Sequence, residues 1–139
     1  MHTQHRPQLT WTKRLVVTMT AIASLFSVSV VVTPAADAVV YGSCTMSRCA
    51  DARSANTTWQ SKGYPSSRGW YSWPNGKCNF AGGTYQNREA QLPNGHSYLE
   101  YDVYSRICNA ARDAYRIIVD RTTGVVWFSP NHYSDFYQL

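Results

Sequence analysis

An α+β domain, with one N-terminal helix packed on an antiparallel sheet of about four or five strands, is the fold class this sequence predicts. Three observations carry it. One segment, Ser47–Lys62, combines helical spacing with a capping residue and a glycine–proline stop. From Thr84 onward, short runs of alternating polarity are separated by turn residues. The stretch from Val39 to Leu139 has the length of one small domain with one core.

The chain opens with a segment that is set apart from the fold. Met1–Arg14 is polar and basic, Leu15–Val32 is apolar, and Thr33–Ala38 supplies small residues with Ala36-Asp37-Ala38 as an A-x-A pattern. That order predicts a secretory signal peptide over residues 1–38 and an exported domain over 39–139, with no membrane attachment after cleavage. A single membrane anchor is the competing reading, since the apolar run is near the lower limit for spanning.

Within Ser47–Lys62, Cys49, Ala52 and Trp59 share one face, Ser47 stands at the cap position, and Gly63 with Pro65 ends the helix. Tyr64–Gly83 is rich in Gly, Pro, Ser and aromatic residues and reads as irregular loop. Tyr98–Val103 alternates, turning Leu99, Tyr101 and Val103 inward and Glu100 to the other face with Tyr98 and Asp102. The next strand centres on Tyr115–Val119, with Tyr115, Ile117 and Val119 inward and Arg116 on the opposite face. Asp120–Gly124 is a turn, Val125–Ser129 a strand, and His132–Tyr137 a final strand after Pro130-Asn131. The sheet face away from the helix is expected to lie open for chemistry.

Composition narrows the function. The net charge of +5 belongs partly to the leader, which holds Arg6, Lys13 and Arg14. The remaining excess is modest and favours a polyanionic partner without requiring one. Cys44, Cys49, Cys78 and Cys108 all follow the leader and contain no C-x-x-C pair. In an exported domain they predict two disulfides rather than a zinc site, with three connectivities open.

Beyond residue 38 the chain has only Glu89 and Glu100 as glutamates, and His96 and His132 as histidines. Glu100, Arg112, Arg116 and His132 can hold a phosphodiester and move protons on both sides of it. Metal-free RNA cleavage needs a base for the ribose 2′-hydroxyl and an acid for the departing 5′-oxygen. A carboxylate beside guanidiniums stays ionised and suits the first. An imidazole, titrating ordinarily near pH ~6.5, suits the second. Guanidiniums stabilise charge on the phosphoryl oxygens. No metal or other cofactor is required, because the nucleophile is part of the substrate.

In Tyr85-Gln86-Asn87-Arg88-Glu89, backbone N–H groups and the Glu89 carboxylate could together read the O6 and N1–H/2-amino edge of guanine. Tyr85, Arg88 and Tyr133 offer planes on which a base can stack. Simpler readings exist for each part: a cross-strand Glu100–Arg116 ion pair, a surface His132, a solvated basic face, a polar turn at Asn87–Glu89. His96, beside Asn94-Gly95, reads as a turn or surface residue.

In the order Tyr85–Glu89 through Leu92-Pro93, Glu100-Tyr101-Asp102, Arg112–Ile117 and Asn131–Phe136, the chain resembles the bacterial guanyl-specific ribonucleases, the family that includes barnase and the small streptomycete enzymes. The resemblance covers about Thr84–Leu139 and is nearer the streptomycete type. It implies the microbial ribonuclease fold, with Glu100 as general base, His132 as general acid, and Arg112 and Arg116 on the scissile phosphate. It also implies that Gln86, Asn87, Arg88 and Glu89 bind guanine, with Tyr133 near the base. The implied reaction cuts single-stranded RNA 3′ of guanosine through a 2′,3′-cyclic phosphate, then hydrolyses that to the 3′-phosphate. The expected protein is a secreted monomer. A small acidic inhibitor is its expected partner if it serves as an antibacterial toxin. A binding module without turnover is the rival of another class. Two departures stand out. The end-to-end disulfide of the streptomycete enzymes has no cysteine near Leu139 to form it. Tyr41–Gly83 matches poorly, which leaves Lys62 and Lys77 without a role.

Overall fold

A computed structural model describes residues 38–139. The expected signal peptide, residues 1–38, lies outside the described residues but for Ala38. Among the described residues no helix is long and apolar enough to cross a membrane.

The fold is α+β, as expected, with one helix on a sheet of seven strands in the order β1-β7-β6-β5-β4-β3-β2. The strands are β1 Val39–Tyr41, β2 Gly69–Trp73, β3 Lys77–Tyr85, β4 Tyr98–Asp102, β5 Arg116–Asp120, β6 Val126–Ser129 and β7 Asp135–Gln138. All pairs are antiparallel except β1, which runs parallel to β7 at one edge. The count exceeds the expected four or five because strands were added at both edges. At one edge, Val39–Tyr41 leans on β7 and stacks Tyr41 on Tyr137 at 4.4 Å. At the other, much of the expected irregular loop Tyr64–Gly83 is the hairpin β2–β3. Its tight turn uses Asn75 and Gly76 at φ 63° and 68°. The glycine and serine content masked strand alternation that Trp70, Tyr71, Trp73 and Phe80 carry.

Helix α1, Arg48–Ser61, lies within the expected segment. Its buried face is Cys49, Ala52, Ala55 and Trp59, one residue per turn. Trp59 is fully buried against Tyr71, Trp73 and Tyr101, and its indole N–H donates to the Asp102 carbonyl at 2.9 Å. Ser47 occupies the cap position, but its side chain makes no capping hydrogen bond. The disulfide Cys44–Cys49 instead closes the chain just before the helix, and Arg53 donates to the Cys44 carbonyl at 3.0 Å. Gly63, at φ 74°, ends the helix in the left-handed conformation.

Strand alternation builds two cores. Leu99, Tyr101, Ile117, Val119 and Phe128 meet the helix on one face. Tyr98, Ile118 and Trp127 point to the other, where Tyr85, Leu92 and Phe136 join them. The second sheet face is therefore only partly open: the Gln86–Ser97 loop covers one end, and Glu100 lies at the margin of the covered part. Asp120 organises the turn after β5, accepting from Thr122 N at 2.8 Å, Thr123 Oγ1 at 2.6 Å and His96 Nδ1 at 2.6 Å. His96 is thus an anchor for a carboxylate that is almost fully buried, and not merely a turn residue. Although burial alone would raise the Asp120 carboxyl, these hydrogen bonds hold it below its ordinary value.

The second disulfide joins Cys78 of β3 to Cys108. Cys78 also forms an isolated antiparallel bridge with Arg106, so the hairpin is tied to the loop before β5 by both backbone and sulfur.

Candidate active site

Glu100 sits in the middle of β4, opposite Ile118 on β5 and Gly83 on β3. The pairing between β3 and β4 skips a residue at Gly82, a β-bulge. A side chain at Gly82 is impossible without movement, because a Cβ there would fall within the Glu100 carboxylate. The bulge glycine thus gives the carboxylate its seat. Tyr133 donates to Glu100 Oε2 at 2.5 Å, and Arg68 Nη1 lies 3.9 Å from Oε1. Burial, followed by the Glu100 charge and hydrogen bond, raises the Tyr133 phenol above its ordinary value, so it remains a donor.

Both arginines are brought to the same end of β4 by a residue that sequence reasoning placed there without a role. Asp102, fully buried, accepts from Arg112 Nε at 3.0 Å and Nη2 at 2.6 Å, and lies 3.1 Å from Arg116 Nη1. Register explains the second contact, since Asp102 pairs directly with Arg116. The Glu100–Arg116 cross-strand pair considered from sequence is therefore replaced by Asp102–Arg116. Arg112 also stacks its guanidinium 4.0 Å above the Phe80 ring. Burial alone would lower the Arg112 guanidinium, but the hydrogen bonds and charge of Asp102 outweigh it and raise it. Arg116 is almost fully buried and also lies 3.4 Å from Asp113. Arg112, half-buried, has the better access to a ligand.

His132 lies in the turn between β6 and β7, not within the final strand, which begins at Asp135. His132 and Tyr133 both have positive φ, 55° and 71°. Backbone bonds hold this unusual turn: His132 N donates to the Ala114 carbonyl at 3.0 Å, and Tyr133 N to Ser129 Oγ at 2.8 Å. The exposed His132 ring packs 4.7 Å from the Tyr133 ring, whose hydroxyl reaches Glu100. Tyr133 therefore touches both the imidazole and the carboxylate.

The loop from Tyr85 to Leu92 is built around Asn87. Its side chain donates to the Leu92 carbonyl at 2.8 Å and accepts from Leu92 N at 3.0 Å, while its backbone takes φ 45°. That geometry presents Gln86, Arg88 and Glu89 to solvent. Beside them, Tyr85 lies 5.0 Å from Tyr133, ring to ring, making an aromatic wall between the loop and Glu100. Burial, with the charges of Glu89 and Glu100 behind it, pushes the Tyr85 phenol up to about 12.

Sequence reasoning missed three contributors: Asp102, Arg68 and Gly82. Asp102 was visible as a same-face neighbour of Glu100, and an acidic residue on a face with Arg116 could have flagged the pairing. Arg68 and Gly82 had no local signal, for their roles depend on the hairpin and the bulge. Lys62 lies 5.7 Å over the Trp73 ring on the helix side, remote from Glu100. An open cleft bounded by Arg53, Asn56, Thr123 and Gln138 also lies away from the carboxylate. Among the described residues no group of three or more His, Cys, Asp or Glu side chains converges on a metal position.

Glu100 thus shares one strand with Asp102, which binds the two arginines, and Tyr133 links the carboxylate to the His132 ring on one side and to Tyr85 of the polar loop on the other. A family model described as ribonuclease matches residues 34–139. No curated protein matches the chain.

Proposed function

Because this chain belongs to the ribonuclease family and is an RNA-cleaving enzyme, we propose that it is a secreted, metal-independent endoribonuclease that cuts single-stranded RNA 3′ of guanosine. One observation carries the reading: Glu100 is held between the Tyr133 hydroxyl and Arg68, and the Asp102-bound arginines lie at the same end of its strand.

In this reading the guanosine 2′-hydroxyl approaches Glu100, which removes its proton as the oxygen attacks phosphorus. Arg112, and Arg116 behind it, meet the non-bridging oxygens, whose charge grows during the attack. His132 gives its proton to the departing 5′-oxygen, leaving a 2′,3′-cyclic phosphate and a new 5′-hydroxyl. In the second step the roles reverse: His132 takes a proton from water and Glu100 returns one to the 2′-oxygen. Tyr133 is suited to two tasks, donating to the Glu100 carboxylate and offering its ring with Tyr85 to the base. The exposed Glu89 carboxylate and the backbone N–H groups of Gln86–Arg88 form the guanine-reading edge.

Export is supported by the two disulfides, which form and persist in oxidising compartments. The exposed Arg68 and Arg88 would suit a small acidic inhibitor as well as RNA.

The test is digestion of a defined single-stranded RNA with chelator present, mapping the terminal bases and seeking the cyclic phosphate. Ends confined to guanosine and a transient cyclic product are expected. Cleavage at all bases alike, or dependence on added metal, refutes the reading.

A further inference from the structure

On the second face of the hairpin β2–β3, Tyr85 joins a core, but the stretch at Trp70 and Phe80 does not. Tyr71 and Trp73 turn toward the helix and pack against Trp59 or its core. Trp70 and Phe80, directly opposite each other in register, point to the other side, the face that carries Glu100. Their rings meet edge to face at 5.2 Å, 74° apart. Neither belongs to the two hydrophobic cores, and both remain half-buried on the monomer.

Cationic groups flank this pair. Arg68 lies 5.0 Å from the Phe80 ring and Arg112 4.0 Å from it. Arg68 is 63% exposed, and its Nη1 donates to the Gly82 carbonyl at 3.1 Å, next to the Glu100 seat. A large aromatic surface with guanidiniums at its edge, adjoining a site for a phosphodiester, has the chemistry of a stacking platform for an unpaired nucleobase. The disulfide Cys78–Cys108 and the bridge at Cys78–Arg106 hold the hairpin, so the platform is ordered before a ligand arrives.

We propose that Trp70, backed by Phe80 and flanked by Arg68, binds the base of the nucleotide on the 5′ side of the scissile guanosine. The side follows from the sheet order. The hairpin forms one flank of the sheet, the His132 turn lies between β6 and β7 toward the other, and Glu100 on β4 lies between them. The departing nucleoside leaves toward the acid. The guanosine's own 5′ end is thereby directed to the hairpin flank. The assignment rests on the proposed reaction, which orients the substrate.

The test compares kcat/KM on the dinucleoside phosphate GpU and on UpGpU, for the full exported domain and its Trp70→Ala and Trp70→Phe variants. The wild-type enzyme should prefer UpGpU. Trp70→Ala should lose about five-fold or more on UpGpU, the lower bound for one stacked base, with the loss confined to that substrate. Trp70→Phe should restore most of it. Equal losses on both substrates, or none on UpGpU, overturn the platform. Binding of fluorescent UpGpU carrying 2′-deoxyguanosine, followed by anisotropy, separates this from the reaction itself. If the wild type cleaves neither RNA, the functional reading fails. A Trp70-dependent affinity for the deoxy analogue would still support the platform, and equal affinity in wild type and Trp70→Ala would overturn it.

Discussion

Replacing Asp102 with Asn keeps the side chain's volume and removes the charge that gathers the arginines. The wild-type carboxylate is fully buried and takes Arg112 at 2.6 and 3.0 Å, with Arg116 at 3.1 Å and Arg106 at 3.6 Å. Removing one partner of a buried ion pair costs about 3–5 kcal/mol, because the other charge remains desolvated. Arg116 and Arg106 keep Asp113 at 3.4 and 2.9 Å, and Arg112 keeps the Phe80 ring. The loss should therefore lie at the lower end, about 3 kcal/mol. For a domain of this size that lowers Tm by roughly 12–15 °C. Urea melts read by tryptophan fluorescence, repeated in about 1 M salt, measure it. Buried pairs are screened far less than exposed ones, so the difference should persist at high salt. With Arg112 free to swing, kcat/KM on GpU should fall on the order of 10–100-fold well below the melting range. A Tm change under about 3 °C, or a stability difference that vanishes in salt, would refute the account of Asp102 as a buried organiser.

Further outcomes are expected at other positions. Gly82→Ala should displace the Glu100 carboxylate and lower kcat/KM by about 10²-fold with the circular-dichroism spectrum retained; full activity would show that the bulge is not the seat. Glu100→Gln should slow cyclic-phosphate formation by at least ~10²-fold, and His132→Ala should slow it while abolishing the alkaline limb of the pH–rate profile. Near-normal rates in either variant remove that residue from its role. Glu89→Gln should erode the preference for guanosine over adenosine in cleavage mapping, since the paired acceptor for N1–H and the 2-amino group is lost; an unchanged preference counts against the loop. Asp120 contributes to acid stability: its carboxyl is held below its ordinary value, so its contribution is full above the unfolded value of about pH 4 and is lost as pH falls through the folded one. The stability difference between wild type and Asp120→Asn should accordingly shrink from pH 6 to pH 2, whereas a constant difference would contradict it.

Element type was legible wherever side chains alternated against a uniform background. Leu99, Tyr101, Ile117 and Val119 announced their strands, and Cys49, Ala52 and Trp59 the helix face. The hairpin β2–β3 was hidden because its strands meet at Pro74-Asn75-Gly76 and carry the glycines of the bulge, residues that ordinarily mark loops. The final strand was read too early because His132 and Tyr133 have side chains fit for a strand, whereas their backbones take positive φ. That conformation depends on the Ala114 carbonyl and the Ser129 hydroxyl, which sequence does not bring near.

The sequence by itself narrowed which residues could do chemistry: only two glutamates and two histidines follow residue 38, and strand period alone turned Glu100 and Arg116 to one face. It also determined that four cysteines would pair, though not how. Tertiary structure decided the rest, because pairing register and burial are properties of neighbouring strands rather than of any one. It paired Arg116 with Asp102 instead of Glu100, seated Glu100 over a glycine bulge, and chose Cys44–Cys49 and Cys78–Cys108. It also carried Trp70 and Phe80 to the face of Glu100, since only a formed sheet has two sides.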